Sequence, residues 1–184
     1  MLKIKEKILI SKIRKQDRNA FEEIYDEYSE RIHRFLYFRA PTAECDDLLQ
    51  EVFLDLWSYL SDDEQKHVEN LKALIYKIAK NKVASYFGER ERERKLVELG
   101  EITIQEETNL ALVPDGELDL QADIQKIKKE MEGLENELYR EILEMRFVDE
   151  LSHKEIAEII EKDVGTTRVL LHRALKQVKE KITK

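Results

Sequence analysis

The sequence has little glycine, proline or cysteine, and each shortage excludes a class of structure. Five glycines and two prolines stand among 184 residues, whereas an average protein of this length has roughly 20. Because sheet-rich folds need many turns, this shortage argues against them and favours an all-α fold. The single cysteine, Cys45, excludes an internal disulfide and a Cys-x-x-Cys metal site. Long apolar runs are also missing, so we expect no membrane insertion.

Acidic residues outnumber basic ones, 40 to 32, for a net charge of -8. Taken alone, this charge argues against nucleic-acid binding. However, residues 96–121 contain seven acidic residues and no basic ones, together with three of the seven glycines and prolines. We therefore predict two small helical domains, residues 1–95 and 122–184, joined by an acidic linker at 96–121. That linker is either a solvated tether or a segment that occupies a basic channel on a partner.

The first 18 residues contain six lysines and arginines by position 15 and no uninterrupted apolar core. This pattern is not typical of a secretory signal, so we expect a cytoplasmic protein. The sequence shows no phosphate loop, nucleophile elbow or convincing triad, which predicts neither an enzyme nor a cofactor.

Two Glu-x-x-His pairs offer an alternative interpretation as a metal enzyme. Glu30 with His33, and Glu64 with His67, have the spacing that di-iron helical bundles use. Such ligands point inward from apolar helices, whereas both pairs lie among polar residues. We therefore predict no metal site.

Apolar residues at helical spacing predict four helices in the first domain, the second of them starting at an Asp17 N-cap. A helical wheel of the third helix places the core on one side: Leu49, Phe53, Leu56, Trp57, Leu60. The opposite side carries leucines among carboxylates: Asp47, Leu48, Glu51, Leu54, Asp55. Such a face suggests a protein-binding surface, although single exposed leucines are ordinary. With Leu48 outside the core, Leu48→Asp is expected to abolish partner binding and leave the fold intact.

The fourth helix has a cationic outer face, and residues 72–95 carry a net charge of +5. Lys77, Lys80 and Asn81 project from it, with Ser85 at its edge. Three aromatics lie nearby: Tyr76, Tyr86, Phe87. Such a face can hold phosphates and stack unpaired bases, and the alternative is a solvated lysine face.

The second domain has the pattern of a helix-turn-helix. A helix over 138–147 has the apolar residues Leu138, Ile142, Leu143 and Phe147. Ser152-His153-Lys154-Glu155 then forms a capping box that starts a short helix. Asp163 is a suitable N-cap for a final helix from Val164 to about Lys181. A short helix, a tight turn and a longer basic helix are typical of DNA-binding helix-turn-helix domains.

The wheel of that final helix separates a core side from a polar side. The core side is predicted to hold the apolar positions and one threonine: Val164, Thr167, Leu171, Leu175, Val178, Ile182. The DNA-facing side and its flanks hold the candidate contacts: Thr166, Arg168, Val169, His172, Arg173, Lys176. Thr166 can hydrogen-bond a base edge, Val169 can touch a thymine methyl and Arg173 can hold guanine.

Three motifs in this order resemble the extracytoplasmic-function group of sigma factors in the sigma-70 family. Residues 47–53, DLLQEVF, with Trp57, are similar to the polymerase-binding helix of that family. Residues 76–81, YKIAKN, are similar to the helix that meets the melted promoter. The C-terminal motif, 139–147, 151–158 and 164–174, looks like its helix-turn-helix.

The resemblance implies an RNA polymerase sigma factor that directs promoter-specific transcription initiation. It implies that core polymerase binds Asp47, Leu48, Gln50, Glu51, Leu54 and Asp55. It further implies minus-ten DNA contacts by Lys77, Lys80, Asn81 and Ser85, with a flipped base held by the loop 61–69. The final helix would read the minus-thirty-five element, and the partners would be core polymerase, promoter DNA and an anti-sigma factor. The alternative from the residues alone is a stand-alone helix-turn-helix regulator with a helical sensor domain.

The sequence departs from this family pattern at a few positions. Glu161 stands where the family has a turn glycine, which predicts a non-glycine residue with positive φ. Val169 and Leu170 replace a Ser-Arg pair, so we expect an unusual minus-thirty-five sequence. Leu74, Ser85 and Gly88 also replace an aromatic, an aspartate and an arginine, which affects the upstream edge of the minus-ten contact.

Overall fold

The computed structural model describes residues 4–62, 68–98, 134 and 136–182. The chain divides into two compact units, residues 1–111 and 112–184. All regular structure in the described ranges is helical, which confirms the all-α prediction. Within those ranges, no helix is both long and apolar enough to cross a membrane.

In its described part, residues 4–62 and 68–98, the first unit has four α-helices in the order that the sequence predicts. They are α1 (Ile4–Ile13), α2 (Arg18–Tyr37), α3 (Cys45–Ser61) and α4 (Leu71–Glu98). A single 3-10 turn over Thr42–Glu44 joins α2 to α3 after Pro41. Helix α4 continues three residues beyond the predicted domain boundary at 95, and the rest of the predicted acidic linker lies outside the described residues.

Short polar side chains start two of these helices. The Asp17 carboxylate accepts hydrogen bonds from the backbone N–H groups of Asn19 at 3.1 Å and Ala20 at 3.3 Å. The side chain of Asn70 accepts one from the N–H of Ala73 at 3.1 Å. Because the first N–H groups of a helix have no partner within the helix, these contacts stabilise its start. The predicted Asp17 cap is confirmed.

The core of the first unit lies between α2, α3 and α4, and α1 packs on its side. Phe35 of α2 contacts Tyr76 of α4 edge to face, with ring centroids 5.2 Å apart. Leu9, Ile10 and Ile13 bury one side of α1. The following core side chains are less than 2% exposed: Ile13, Ile24, Ile32, Phe35, Leu36, Leu56, Leu60, Leu71, Ile75, Tyr76.

A buried polar contact joins α1 to α2. The Tyr28 hydroxyl donates a hydrogen bond to the Glu6 carboxylate at 3.3 Å. Burial raises the pKa of Tyr28, and the neighbouring carboxylates of Glu27 and Glu6 raise it further. The hydroxyl therefore stays protonated and remains a donor to Glu6.

The described residues of the second unit, 134 and 136–182, form three helices: α5 (Glu137–Phe147), α6 (His153–Ile159) and α7 (Val164–Ile182). The Ser152 capping box is confirmed, because Ser152 N–H donates to Glu155 at 2.8 Å and Glu155 N–H donates to Ser152 at 3.2 Å. The core is built from residues of all three helices and the α5–α6 connection: Ile142, Met145, Leu151, Ile156, Thr167, Leu171, Ala174.

Two residues predicted in this core are exposed. Phe147 is 60% exposed and Leu175 is 42% exposed, whereas Met145 and Ala174 are fully buried. Phe147 is the last residue of α5, where the helix ends before the connection to α6. Ala174 lies one position before Leu175, so the buried side of α7 is rotated from the predicted stripe toward a small residue that permits close helix contact.

The turn between α6 and α7 has the geometry of a Schellman helix ending. Glu161 has φ of 56°, which confirms the predicted positive φ at this non-glycine position. The Lys162 N–H donates to the carbonyl of Ala157 at 2.9 Å, and the Ile160 N–H donates to that of Ile156 at 2.9 Å. These bonds end α6 sharply and set the direction in which α7 begins.

Candidate functional site

One exposed face of α3 carries acidic and amide side chains around a leucine. Leu54 is 67% exposed, and five of the six predicted polymerase-binding residues are exposed: Asp47, Gln50, Glu51, Leu54, Asp55. Asp46 adds a further carboxylate, which contacts Nε2 of His33 at 3.3 Å. A large apolar side chain among carboxylates is suited to a partner with a small apolar contact surrounded by basic groups.

The prediction that Leu48 lies outside the core is wrong. Its side chain is only 5% exposed, so it belongs to the core and is not available to a partner in the folded unit. Helix α3 contacts α1, α2 and α4. Because it has three neighbouring helices, a wider part of its circumference is buried than the single apolar stripe that the helical wheel predicts. Val52, which the stripe also omits, is fully buried for the same reason.

Lys82 of α4 bridges two carboxylates of this α3 face. Its Nζ lies 2.9 Å from Asp55 Oδ2 and 3.3 Å from Glu51 Oε2. The Lys82 side chain is 23% exposed, while those of Glu51 and Asp55 are 55% and 53% exposed. The hydrogen bond to Asp55 is the largest cause that raises the pKa of Lys82. The ammonium is therefore charged and held against α3.

The residues of the predicted DNA-facing side of α4 differ in their exposure. Asn81 and Ser85 are exposed, and Phe87 is 49% exposed. Lys77 and Lys80 are half-buried, and both have interaction partners within the chain. The amide, the hydroxyl and the exposed phenyl ring are therefore the most accessible of these groups.

Two of the aromatics near this surface are not free to stack on a base. Tyr76 is fully buried against Phe35, so the prediction that it lies beside the surface as a stacking group is wrong. Tyr86 is half-buried beneath Arg90, whose guanidinium lies 5.1 Å from the ring centroid and contacts Glu44 at 3.3 Å. Phe87 is left as the aromatic with a substantial exposed surface.

An open cleft lies at the end of α3 beside α4. It is lined by Asp55, Ser58, Tyr59, Ser61, Asp62 and Ile78. The loop 61–69, predicted to hold a flipped base, starts at this cleft, and its residues 63–67 lie outside the described part of the chain.

All six predicted contact residues of the final helix are exposed on α7: Thr166, Arg168, Val169, His172, Arg173, Lys176. Val169 is 50% exposed, and Lys176 lies 3.9 Å from Glu180 one turn further along. Thr166 and Val169 are short side chains near the start of this surface, and Arg173 and Lys176 are longer cations further along it. Short side chains near its start let a helix approach base edges in the major groove closely.

Asp163 orients Thr166 at the start of α7. Its carboxylate accepts the Thr166 backbone N–H at 2.8 Å and also the Thr166 hydroxyl. These hydrogen bonds lower the pKa of Asp163, the hydroxyl bond being the largest cause. Since the Thr166 hydroxyl already donates its hydrogen to Asp163, that hydroxyl offers only its acceptor lone pairs to a group outside the protein.

The described residues contain no group of three or more histidine, cysteine, aspartate and glutamate side chains placed to hold a metal. Glu30 is exposed, and His33 pairs with Asp46. Glu64 and His67 lie outside the described residues.

Models of known protein families match both units. Residues 24–93 match the family model for sigma-70 region 2, and residues 128–178 match that for sigma-70 region 4. Two curated relatives extend the match to nearly the whole chain. The extracytoplasmic-function (ECF) RNA polymerase sigma factor SigW of Bacillus subtilis is 25% identical over 94% of each chain. The ECF RNA polymerase sigma-E factor of Escherichia coli K12 is 25% identical over 96% of this chain and 94% of its own.

The chain belongs to the extracytoplasmic-function group of the sigma-70 family. It is a sigma factor, which acts with core RNA polymerase in promoter-directed transcription initiation. The alternative of a stand-alone regulator is not favoured. Sigma factors are not catalytic enzymes as a family.

Solved structures of similar fold support the sigma-factor architecture. CnrH, solved in complex with the cytosolic domain of CnrY, has a TM-score of 0.68 and 16% identity over 97% of each chain. The sigma factor RpoE of Bartonella quintana, solved with the anti-sigma factor NepR, has a TM-score of 0.61 and 22% identity, covering 89% of this chain and 96% of that one.

Proposed function

We propose that this sigma factor divides its contacts among three surfaces. The α3 face, Asp47, Gln50, Glu51, Leu54 and Asp55, binds core RNA polymerase. The α4 face, Lys77, Lys80, Asn81 and Ser85, contacts the minus-ten element. The α7 face, from Thr166 to Lys176, reads the minus-thirty-five element.

The observation that carries this proposal is the separation of charge and chemistry between the surfaces. The α3 face joins an exposed leucine to several carboxylates, which suits a protein and repels phosphate. The α7 face combines short side chains with cations and suits a major groove.

Three further assignments belong to this proposal. The chain is a binding subunit without catalytic activity of its own, and it works in the cytoplasm, where core polymerase is. The domains run over residues 1–95 and 122–184, and the acidic stretch 96–121 links them. An anti-sigma protein holds the factor inactive, as the RpoE structure with NepR suggests by its similar fold.

Binding to promoter DNA with and without core polymerase tests this proposal. We expect tight, sequence-dependent binding of promoter DNA by the factor with core polymerase, and weak binding by the factor alone. If the free factor binds promoter duplex as tightly as the holoenzyme does, the factor acts as a stand-alone regulator and the proposal fails.

A further inference from the structure

Lys82 stands between the two surfaces that the proposed function assigns to polymerase and to minus-ten DNA. Its ammonium is held by Asp55 and Glu51 of the α3 face, at 2.9 and 3.3 Å. Its backbone belongs to α4, the helix that carries Asn81 and Ser85. One cation is thus shared between the two surfaces.

The position of Lys82 on α4 brings it close to the DNA-facing side. At about 100° per residue, Lys82 lies about 60° from Ser85 and about 100° from Asn81 around the helix axis. A lysine ammonium on a flexible four-carbon stem can turn through that arc without a change in the backbone. Lys82 is therefore able to reach either α3 or a nucleic-acid strand on α4.

The two carboxylates remain accessible while Lys82 holds them. About half of each side chain is exposed, 55% for Glu51 and 53% for Asp55. A basic group of a docking partner can therefore approach the same oxygens and compete with Lys82 for them. Each new ion pair formed by the partner weakens the hold of α3 on the Lys82 ammonium.

We propose that Lys82 couples polymerase docking to DNA contact. In the free factor it neutralises Glu51 and Asp55 and keeps its own charge away from DNA. When basic groups of core polymerase bind these carboxylates, Lys82 is released and its ammonium contacts a phosphate of the melted minus-ten strand. This inference rests on the proposed function of the α3 and α4 faces.

The test compares Lys82→Met, which keeps the aliphatic stem and removes the charge, with Lys82→Arg, which keeps a cation. Lys82→Met should bind core polymerase about two- to fivefold more tightly at low salt, because the internal competitor is gone, and the gain should vanish at high salt. Its holoenzyme should open promoter DNA more slowly, with a salt slope of binding smaller by about 0.7. Lys82→Arg should resemble the wild type in both measurements.

The outcomes separate this inference from the proposed function. If wild-type factor fails to bind core polymerase or promoter DNA, the proposed function fails. If wild-type factor does both, but Lys82→Met shows unchanged or weaker core binding, the coupling role is wrong. If Lys82→Met loses both core binding and promoter opening, and Lys82→Arg retains both, the coupling role is also wrong.

Lysine acylation of the wild-type protein gives a second measurement that does not depend on a variant that folds. Lys82 should react slowly in the free factor, faster in the holoenzyme without DNA, and slowly again in the open promoter complex. The exposed Lys7 of α1 serves as the internal reference. A Lys82 that stays as protected in the holoenzyme as in the free factor would contradict the release.

Discussion

Leu54 and Leu48 provide a matched pair of leucines on one helix with opposite exposure. Leu54 is 67% exposed among the carboxylates of α3, and Leu48 is 5% exposed in the core. We predict that Leu54→Asn weakens binding to core polymerase without destabilising the protein, and that Leu48→Asn strongly destabilises it. Asparagine has the same number of side-chain heavy atoms as leucine, branched at the same carbon, and adds no charge, so the comparison measures loss of apolar contact.

The exposed fraction sets the size of the effect at Leu54. Full burial of a leucine side chain is worth about 1.5–3 kcal/mol, and Leu54 still has two thirds of its surface to bury. A partner that covers this surface therefore gains about 1–2 kcal/mol, which corresponds to roughly a five- to thirtyfold change in Kd. The free energy of unfolding should change by less than about 0.5 kcal/mol, because little of Leu54 is buried in the free protein.

Leu48→Asn acts on the core. Removing a buried leucine costs about 2–5 kcal/mol, and leaving a buried amide without partners adds about 1–3 kcal/mol. This loss of at least about 3 kcal/mol lowers the Tm of a unit of this size by at least about 12 °C.

Fluorescence titration of labelled factor with core polymerase, with thermal unfolding by circular dichroism on the same samples, measures both effects. The expected pattern is weak binding with an unchanged Tm for Leu54→Asn and a strongly lowered Tm for Leu48→Asn. Wild-type affinity of Leu54→Asn would refute the assignment of the α3 face. A fully folded Leu48→Asn would refute the burial of Leu48.

Three other predictions concern the helix-turn-helix unit. Arg173→Ala should weaken binding of the holoenzyme to its promoter by about 1–3 kcal/mol and relax the sequence preference at one base pair, as measured by competition with single-base promoter variants. Uniform weakening across all variants would instead indicate a phosphate contact. Asp163→Ala should release the Thr166 hydroxyl as a donor and reduce a preference for adenine or cytosine, the bases that present an exocyclic amine in the major groove, at the facing position in promoter selection. An unchanged selected sequence would contradict this role. Glu161→Gly should remove about 1–2 kcal/mol of strain at positive φ and add about 0.5–1 kcal/mol of chain entropy to the unfolded state. The free energy of unfolding, measured with denaturant, should therefore rise by about 0.5–1 kcal/mol. A loss of stability would show that the turn is unstrained.

Local signals in the sequence predicted the helices and their ends well. Asp17, the Ser152–Glu155 box and the positive φ at Glu161 depend on neighbours a few residues away, which are visible in the sequence. These contacts form in the same way whatever the rest of the fold does.

The predictions are wrong where contacts between helices that are distant in the sequence determine which side chains are buried. Leu48 and Tyr76 are buried because α3 and α4 have several neighbours, whose positions a single helical wheel does not contain. Leu175 and Phe147 are exposed, whereas Ala174 and Met145 of the same two helices are fully buried. The Lys82 bridge to Glu51 and Asp55 spans two helices. The sequence signal for it is only a lysine beside Asn81 and two carboxylates four residues apart.

Transcription in vitro with purified core RNA polymerase on genomic DNA fragments tests the central claim most directly. We predict start sites that depend on this protein and share a common sequence near minus thirty-five and minus ten. Core polymerase that gives the same start sites with and without the protein would contradict its role as a promoter-directing sigma factor.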